Sequence, residues 1–167
     1  MRPHHRPVRH RIVLLVVSCV LAAGLLLTGC AAGTPPRQAW ELLSLVNEAR
    51  RTPRSCGATA YAAAAPLALD ARLTRAAQCH SEDMQSTGTF SHTGSDGSSP
   101  GDRAAAQGYA WSRIGEDIAS GFGSPASVMD AWLNSPGHCA NIMDPTFQDL
   151  GTGVAGTYWT LDFAAPR

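Results

Sequence analysis

Three side chains carry most of the chemistry this sequence offers: His92, Glu116 and His138. His92 lies in Phe90-Ser91-His92-Thr93-Gly94-Ser95-Asp96-Gly97, a Gly/Ser loop in which a histidine does not serve to fill a core. Alone it reads as a surface loop residue. Glu116, in Gly115-Glu116-Asp117-Ile118-Ala119, stands beside an apolar stretch and alone reads as a solvated carboxylate. If Ser135 caps a short helix, His138 falls in its first turn. The positive helix end there disfavours imidazolium and leaves a neutral, ligand-competent ring. The plainer reading is a histidine bonded to a backbone carbonyl. Together the three make a two-His, one-carboxylate set. Such a set can hold a divalent metal such as zinc with an open position, or act as acid and base without one. Separations of 24 and 22 residues match no local metal motif.

Other reactive residues have simpler roles. His80 falls on the apolar face of a helix with Leu73, Ala77 and Met84, and reads as a packed histidine. Cys79 and His80 point about 100° apart on that helix, a poor nucleophile–base pair. Cys139 beside His138 has the same defect. Asp96 and Asp102 miss the calcium-loop spacing and suit turn and cap roles. Gly151-x-Gly153-x-x-Gly156 matches the dinucleotide fingerprint, but the 11 residues after it read as a strand rather than as the rest of a βαβ unit.

Helices come early. Ala39, Leu42, Val46 and Ala49 recur at helical spacing over residues 37–51, stopped by Pro53. Residues 52–66 read as irregular. Asp70 caps a second helix reaching about Ser86, with Gly88 as its stop. Ser99-Pro100, Ser124-Pro125 and Ser135-Pro136 each read as a helix start, the serine as cap and the proline in the first turn. Strands come late. Trp159, Leu161 and Phe163 alternate with Tyr158, Thr160 and Asp162, which predicts one buried face. Gly156-Thr157 can turn back to a strand over 150–155, and a further strand is expected near 114–119. This order is that of an α+β or layered α/β/α domain.

The first residues belong to another function. Four arginines and three histidines precede an apolar run from Ile12 to Leu27, which ends at Leu27-Thr28-Gly29-Cys30. The tetrad resembles a bacterial lipobox, with cleavage before Cys30 and acylation of Cys30. A plain signal peptide and an uncleaved anchor helix are the alternatives. On this reading residues 1–29 are a lipoprotein signal peptide, 30–37 a tether and 38–164 the domain, and the acylated Cys30 holds the protein on an extracytoplasmic membrane face. All 13 basic residues are arginine and they balance 13 acids over the 167 residues. Scattered singly beyond the leader, they argue against nucleic acid. Exported cysteines form disulfides. Cys56, Cys79 and Cys139 permit three pairings. Cys56–Cys139 is favoured because Cys56 lies in a Gly/Pro-bounded loop whereas Cys79 lies in a predicted helix.

The blocks LTRAAQCHSEDM from Leu73, FSHTGSDGSSPGDR from Phe90, Gly-Glu-Asp-Ile-Ala at 115–119, AWLNSPGHCANIM from Ala131 and the closing YWTLDF follow one another in a specific order. They resemble the CAP superfamily of cysteine-rich secretory, antigen 5 and pathogenesis-related class 1 proteins, in its bacterial SCP-like extracellular branch. The resemblance covers about residues 38–164. It implies an α-β-α sandwich with a surface cleft in which His92, Glu116 and His138 take the places of cleft residues. It supports Cys56–Cys139 and leaves Cys79 unpaired and buried with the second helix. A second cleft Glu, expected just after Trp132, is absent from Leu133-Asn134-Ser135, and Asp117 stands where Asn is usual. The implied function is a monomeric, lipid-anchored protein that binds a lipid or cell-wall component in the cleft, with a divalent metal as candidate cofactor. The alternatives are a metal-assisted hydrolase using the same three residues and a cell-surface protein–protein module.

Overall fold

The computed structural model describes residues 37–167. The leader, Cys30 and the tether up to residue 36 lie outside the described residues. Helix α1 is Arg37–Arg50. It is followed by a short hairpin, β1 Arg54–Cys56 and β2 Thr59–Tyr61, and by β3 Ala68–Leu69. Then come α2 Ala71–Thr87, α3 Pro100–Ala106 and β4 Trp111–Ser120. The chain closes with α4 Pro125–Leu133, α5 Pro136–Met143, β5 Asp149–Ala155 and β6 Tyr158–Pro166. The main sheet has the order β3-β5-β6-β4, with β3 parallel to β5 and the other pairs antiparallel.

The caps act as their residue types dictate. Asp70 accepts the N–H groups of Arg72 and Leu73, and Gly88 closes α2 at φ 66°. Ser99 and Asp102 form a reciprocal capping box on α3. Ser124 caps α4, whereas Ser135 stands at the start of α5 without a side-chain cap bond. The segment expected to be irregular carries the β1–β2 hairpin. Its turn rests on Gly57 at φ 61°, and Cys56 ties it to α5.

Helices cover both faces of the sheet. Leu150, Leu161, Phe163 and Trp159 pack with residues of α1, α4 and α5, among them Leu42, Val46, Val128, Trp132 and Ile142. On the opposite face α2 lies over β5 and β6, and Leu73, Ala104 and Tyr109 pack on Ala164. This is the three-layer α-β-α sandwich of an α+β domain. It also corrects the expectation for β6. The strand is central, so its polar set is buried too: Thr160 and Asp162 are fully enclosed beneath α2, and the Thr160 hydroxyl is 2.9 Å from that of Ser81.

The literal dinucleotide pattern has a packing explanation. A Cβ at Gly151 would collide with the Leu73 backbone, and one at Gly153 with the Ala77 carbonyl. These glycines let α2 lie directly on the strand, while Gly156, at φ 58°, makes the β5–β6 turn. The helix then completes β5 where β3 has ended: the Gln78 side chain donates to the Val154 carbonyl and accepts its N–H, each at 3.0 Å.

Two devices hold α5. The Cys56–Cys139 disulfide closes a sequence separation of 83 residues, which in the chain-entropy account is worth about 4 kcal/mol. At the other end of the helix, the fully buried Arg50 donates from Nη1 to the carbonyls of Ile142 at 2.7 Å and Asp144 at 2.9 Å, and from Nε to Ala65 at 2.7 Å. Cys79 departs from its expectation. It is half-buried on α2 and disulfide-bonded.

Gly153→Ala is expected to lower unfolding stability by about 3 kcal/mol, because backbone rather than a movable side chain must yield. Gly137→Ala, whose Cβ would meet open space, should be neutral or gain up to about 1 kcal/mol. Chemical denaturation of the two variants checks the contrast.

Candidate functional site at the edge of the sheet

β4 is the outer strand of the main sheet, so it has ladder groups to satisfy on its free side. Helices α4 and α5 supply partners. Trp132 Nε1 donates to the Ile118 carbonyl at 3.3 Å. Asn141 Nδ2 donates to the Glu116 carbonyl at 3.4 Å and to Asp117 Oδ1 at 2.7 Å. These bonds seat α5, and with it His138, along the strand that carries Glu116. They also give Asp117 a structural role, on the face of the sheet away from α2. Its burial drives its carboxyl well above the usual carboxylate range.

Glu116 points to the α2 side and is buried. Its Oε1 accepts His92 Nδ1 at 2.7 Å and its Oε2 accepts Arg103 Nη2 at 2.5 Å. Arg103, in α3, is almost as enclosed and reaches further: Nη1 donates to the Ser98 carbonyl at 2.9 Å and Nη2 to that of His92 at 3.2 Å. The loop carrying His92 is therefore pinned by the same guanidinium that neutralises the carboxylate. Two α2 residues complete the anchorage. His80 Nε2 donates to the Ser91 carbonyl at 2.9 Å and lies 3.9 Å from Glu116 Oε1, while Asp83 accepts the backbone N–H and hydroxyl of Ser95. The His92 side chain itself is 54% exposed.

His92 and Glu116 are thus hydrogen-bonded. His138 approaches from the α5 side, makes no hydrogen bond to Glu116 among the described residues, and lies near enough to His92 for the charge of one to disfavour that of the other. Burial first, and then His92, hold the His138 ring below the ordinary histidine range, so its neutral form is favoured. With Nδ1–H donated to Glu116, the other ring nitrogen of His92, Nε2, is directed away from the carboxylate. Beside His138 runs an apolar groove of about 300 Å³, lined by Phe90, Ile118, Phe122, Trp132 and His138. Phe90 is 52% exposed beside it.

The arrangement does not fit a metal held by all three expected ligands. Both Glu116 oxygens are taken, one by a histidine N–H and the other by a guanidinium whose positive charge opposes a second cation. No group of three His, Cys, Asp or Glu side chains among the described residues is placed to hold an ion. What the geometry offers is hydrogen bonding and proton exchange by two imidazoles, His138 beside an apolar wall and His92 against Glu116. Arg103 and Asp162 escaped the sequence reading. Arg103 directly follows the capping residue Asp102 and carries no motif of its own, and strand alternation disguised Asp162 as solvent-facing.

A helical layer on each face of a small sheet, with a His/Glu cleft along the outer strand, defines the class of domain. Residues 43–163 match the cysteine-rich secretory protein family, CAP, and the chain belongs to it. It is 37% identical over 100 residues to the protein YkwD of Bacillus subtilis (strain 168), covering 59% of this chain and 39% of that one. It is 33% identical over 84 residues to the membrane protein YlbC of the same strain, covering 50% and 24%. The chain thus spans well under half the length of these curated relatives. Among solved structures, an extracellular SCP-domain protein from Bacillus anthracis str. Ames is similar at a TM-score of 0.67 and 27% identity, over 76% of this chain and 40% of that one. An outer surface protein from Borrelia burgdorferi shares the fold at a TM-score of 0.62 and 20% identity, over 77% and 92%.

Glu116→Ala strands the enclosed Arg103 guanidinium and is expected to cost about 3–5 kcal/mol, most of which returns when Arg103→Met is added. Denaturation of the two variants measures this. His80 supplies a pH signature. Burial is the main cause that holds its ring below the ordinary histidine range, outweighing the attraction of Glu116. The unfolded chain therefore binds this proton more readily, and the contribution present above the ordinary histidine range is lost as pH falls through it. Stability followed from neutral to pH about 5 should fall less steeply in His80→Gln than in the native protein.

Proposed function

We propose that the chain is an exported surface protein, held on the outer face of a membrane through acylated Cys30, that binds an amphiphilic lipid or cell-wall component in the cleft. The observation that carries this reading is the apolar groove beside Phe90 with the His138 imidazole on its wall, and with His92, held by Glu116, near His138. The groove shelters an apolar portion of the ligand, and Nε2 of His92 accepts a hydrogen bond from a polar one. The surface and extracellular relatives support export, and the Leu27-Thr28-Gly29-Cys30 tetrad supports the anchor. Among the described residues no helix is long and apolar enough to cross a membrane.

The test has two arms. Radiolabelled palmitate should enter the native protein and not Cys30→Ala; equal labelling of both, or none of the native protein, removes the anchor. The Cys30→Ala protein, free of its own acyl chains, is then purified, extracted and analysed for bound amphiphile by mass spectrometry. It is also assayed for retention on phospholipid vesicles and on peptidoglycan fragments. Retention at least about tenfold weaker in Phe90→Ser and His138→Ala is the expected result, equivalent to about 1.4 kcal/mol. No extracted amphiphile and no retention on either probe defeats the binding reading.

A further inference from the structure

Glu116 has one more neighbour. Across the β4–β6 ladder it stands directly opposite Asp162, so the two side chains leave the sheet on the same face. Asp162 is 0% exposed, and neither of its oxygens finds an N–H or O–H donor among the described residues. Its partner on the other side, Gly151 of β5, has no side chain to offer, and the backbone of α2 lies over that glycine. The titratable side chain set directly opposite it on that face is Glu116. The charged and titratable groups facing it are Glu116 from β4 and Arg103 from α3, with His80 of α2 and loop residue His92 beyond, against Glu116.

Two buried carboxylates in contact repel, and a buried carboxylate without a donor is costly. Contact between two carboxyls becomes favourable when one proton lies between them, as one hydroxyl donating to one oxygen. Glu116 already accepts from Arg103 and His92, so the proton belongs to the member with no other donor. We propose that Asp162 is the second acid of the site, a buried carboxylic acid that donates its O–H to Glu116 and positions the carboxylate that orients His92. Burial, with Glu116 beside it, pushes this group well above the usual carboxylate range, and Arg103 opposes the shift. Asp162 touches neither groove nor exposed imidazole and acts through Glu116, as a positioning residue. It brings from β6 the second carboxyl that the segment after Trp132 lacks. This rests on the cleft reading only in what His92 is oriented for; the shared proton stands apart from any ligand.

The full chain, labelled with ¹³C in its carboxyl groups, is titrated by NMR as native protein, Asp162→Asn and Glu116→Gln. The Asp162 carboxyl, assigned by the signal lost in Asp162→Asn and distinguished in the same way from the buried Asp117 by Asp117→Asn, should remain protonated at neutral pH in the native protein. In Glu116→Gln, with the neighbouring negative charge removed and Arg103 retained, its titration should fall by about one pH unit or more. Asp162→Asn keeps an N–H for Glu116, so the ¹⁵N shifts of its His92 ring should still report the proton on Nδ1. It should also gain thermal stability over the native protein as pH rises and the native Asp162 is forced to ionise. The proposal is overturned if every aspartate is ionised at neutral pH in the native protein, or if Asp162→Asn removes no protonated aspartic signal. Neither readout needs a ligand, so failure here leaves the binding reading intact, and failure of binding leaves the acid pair intact.

Discussion

The site depends on one buried charge pair. A carboxylate on a strand covered by helices is tolerable only if its charge is met at close range. Glu116 is met at 2.5 Å by Arg103. Because Arg103 also holds the backbone of His92 and Ser98, the group that stabilises the charge also shapes the loop. Local electrostatics and loop conformation are therefore a single constraint, and the imidazole orientation follows from it.

The fold places this pair at a boundary between layers. Helices α2 and α3 lie on one face of the sheet, α4 and α5 pack against the other, and the outer strand runs between them. A cleft forms there because two helical layers meet at an edge where no further strand intervenes. Satisfying the free carbonyls of β4 with Trp132 and Asn141 both protects the edge and brings up the groove wall. One set of hydrogen bonds thus explains why the strand does not invite another chain and why a histidine arrives opposite His92.

Much of the architecture could be read from residue order. The Asp70 cap, the Gly88 stop, the three Ser-Pro starts and the β5–β6 turn at Gly156 are local signals that act through their own backbone. The hairpin at 54–61 was not legible, since its anchor is a cysteine 83 residues away. The polar alternation of β6 misled because alternation reports polarity and not exposure: Thr160 and Asp162 are polar and enclosed. His92 and Glu116 could be named from their loop and strand contexts, and the structure joins them. Arg103 could not be assigned to them, because a lone arginine after a capping box has the pattern of any solvated helix residue. The third member of the expected trio, His138, shares the cleft without sharing the carboxylate.

The cystine between Cys56 and Cys139 ends one residue from His138. The start of the helix that bears one of the two imidazoles is thus fastened by a bond that persists in oxidising surroundings and is lost where thiols are kept reduced. Completion of the groove is tied in this way to where in the cell the polypeptide matures. A newly made copy still among cytosolic reductants would have the carboxylate, guanidinium and loop in hand, yet lack the covalent clasp that steadies the opposite wall.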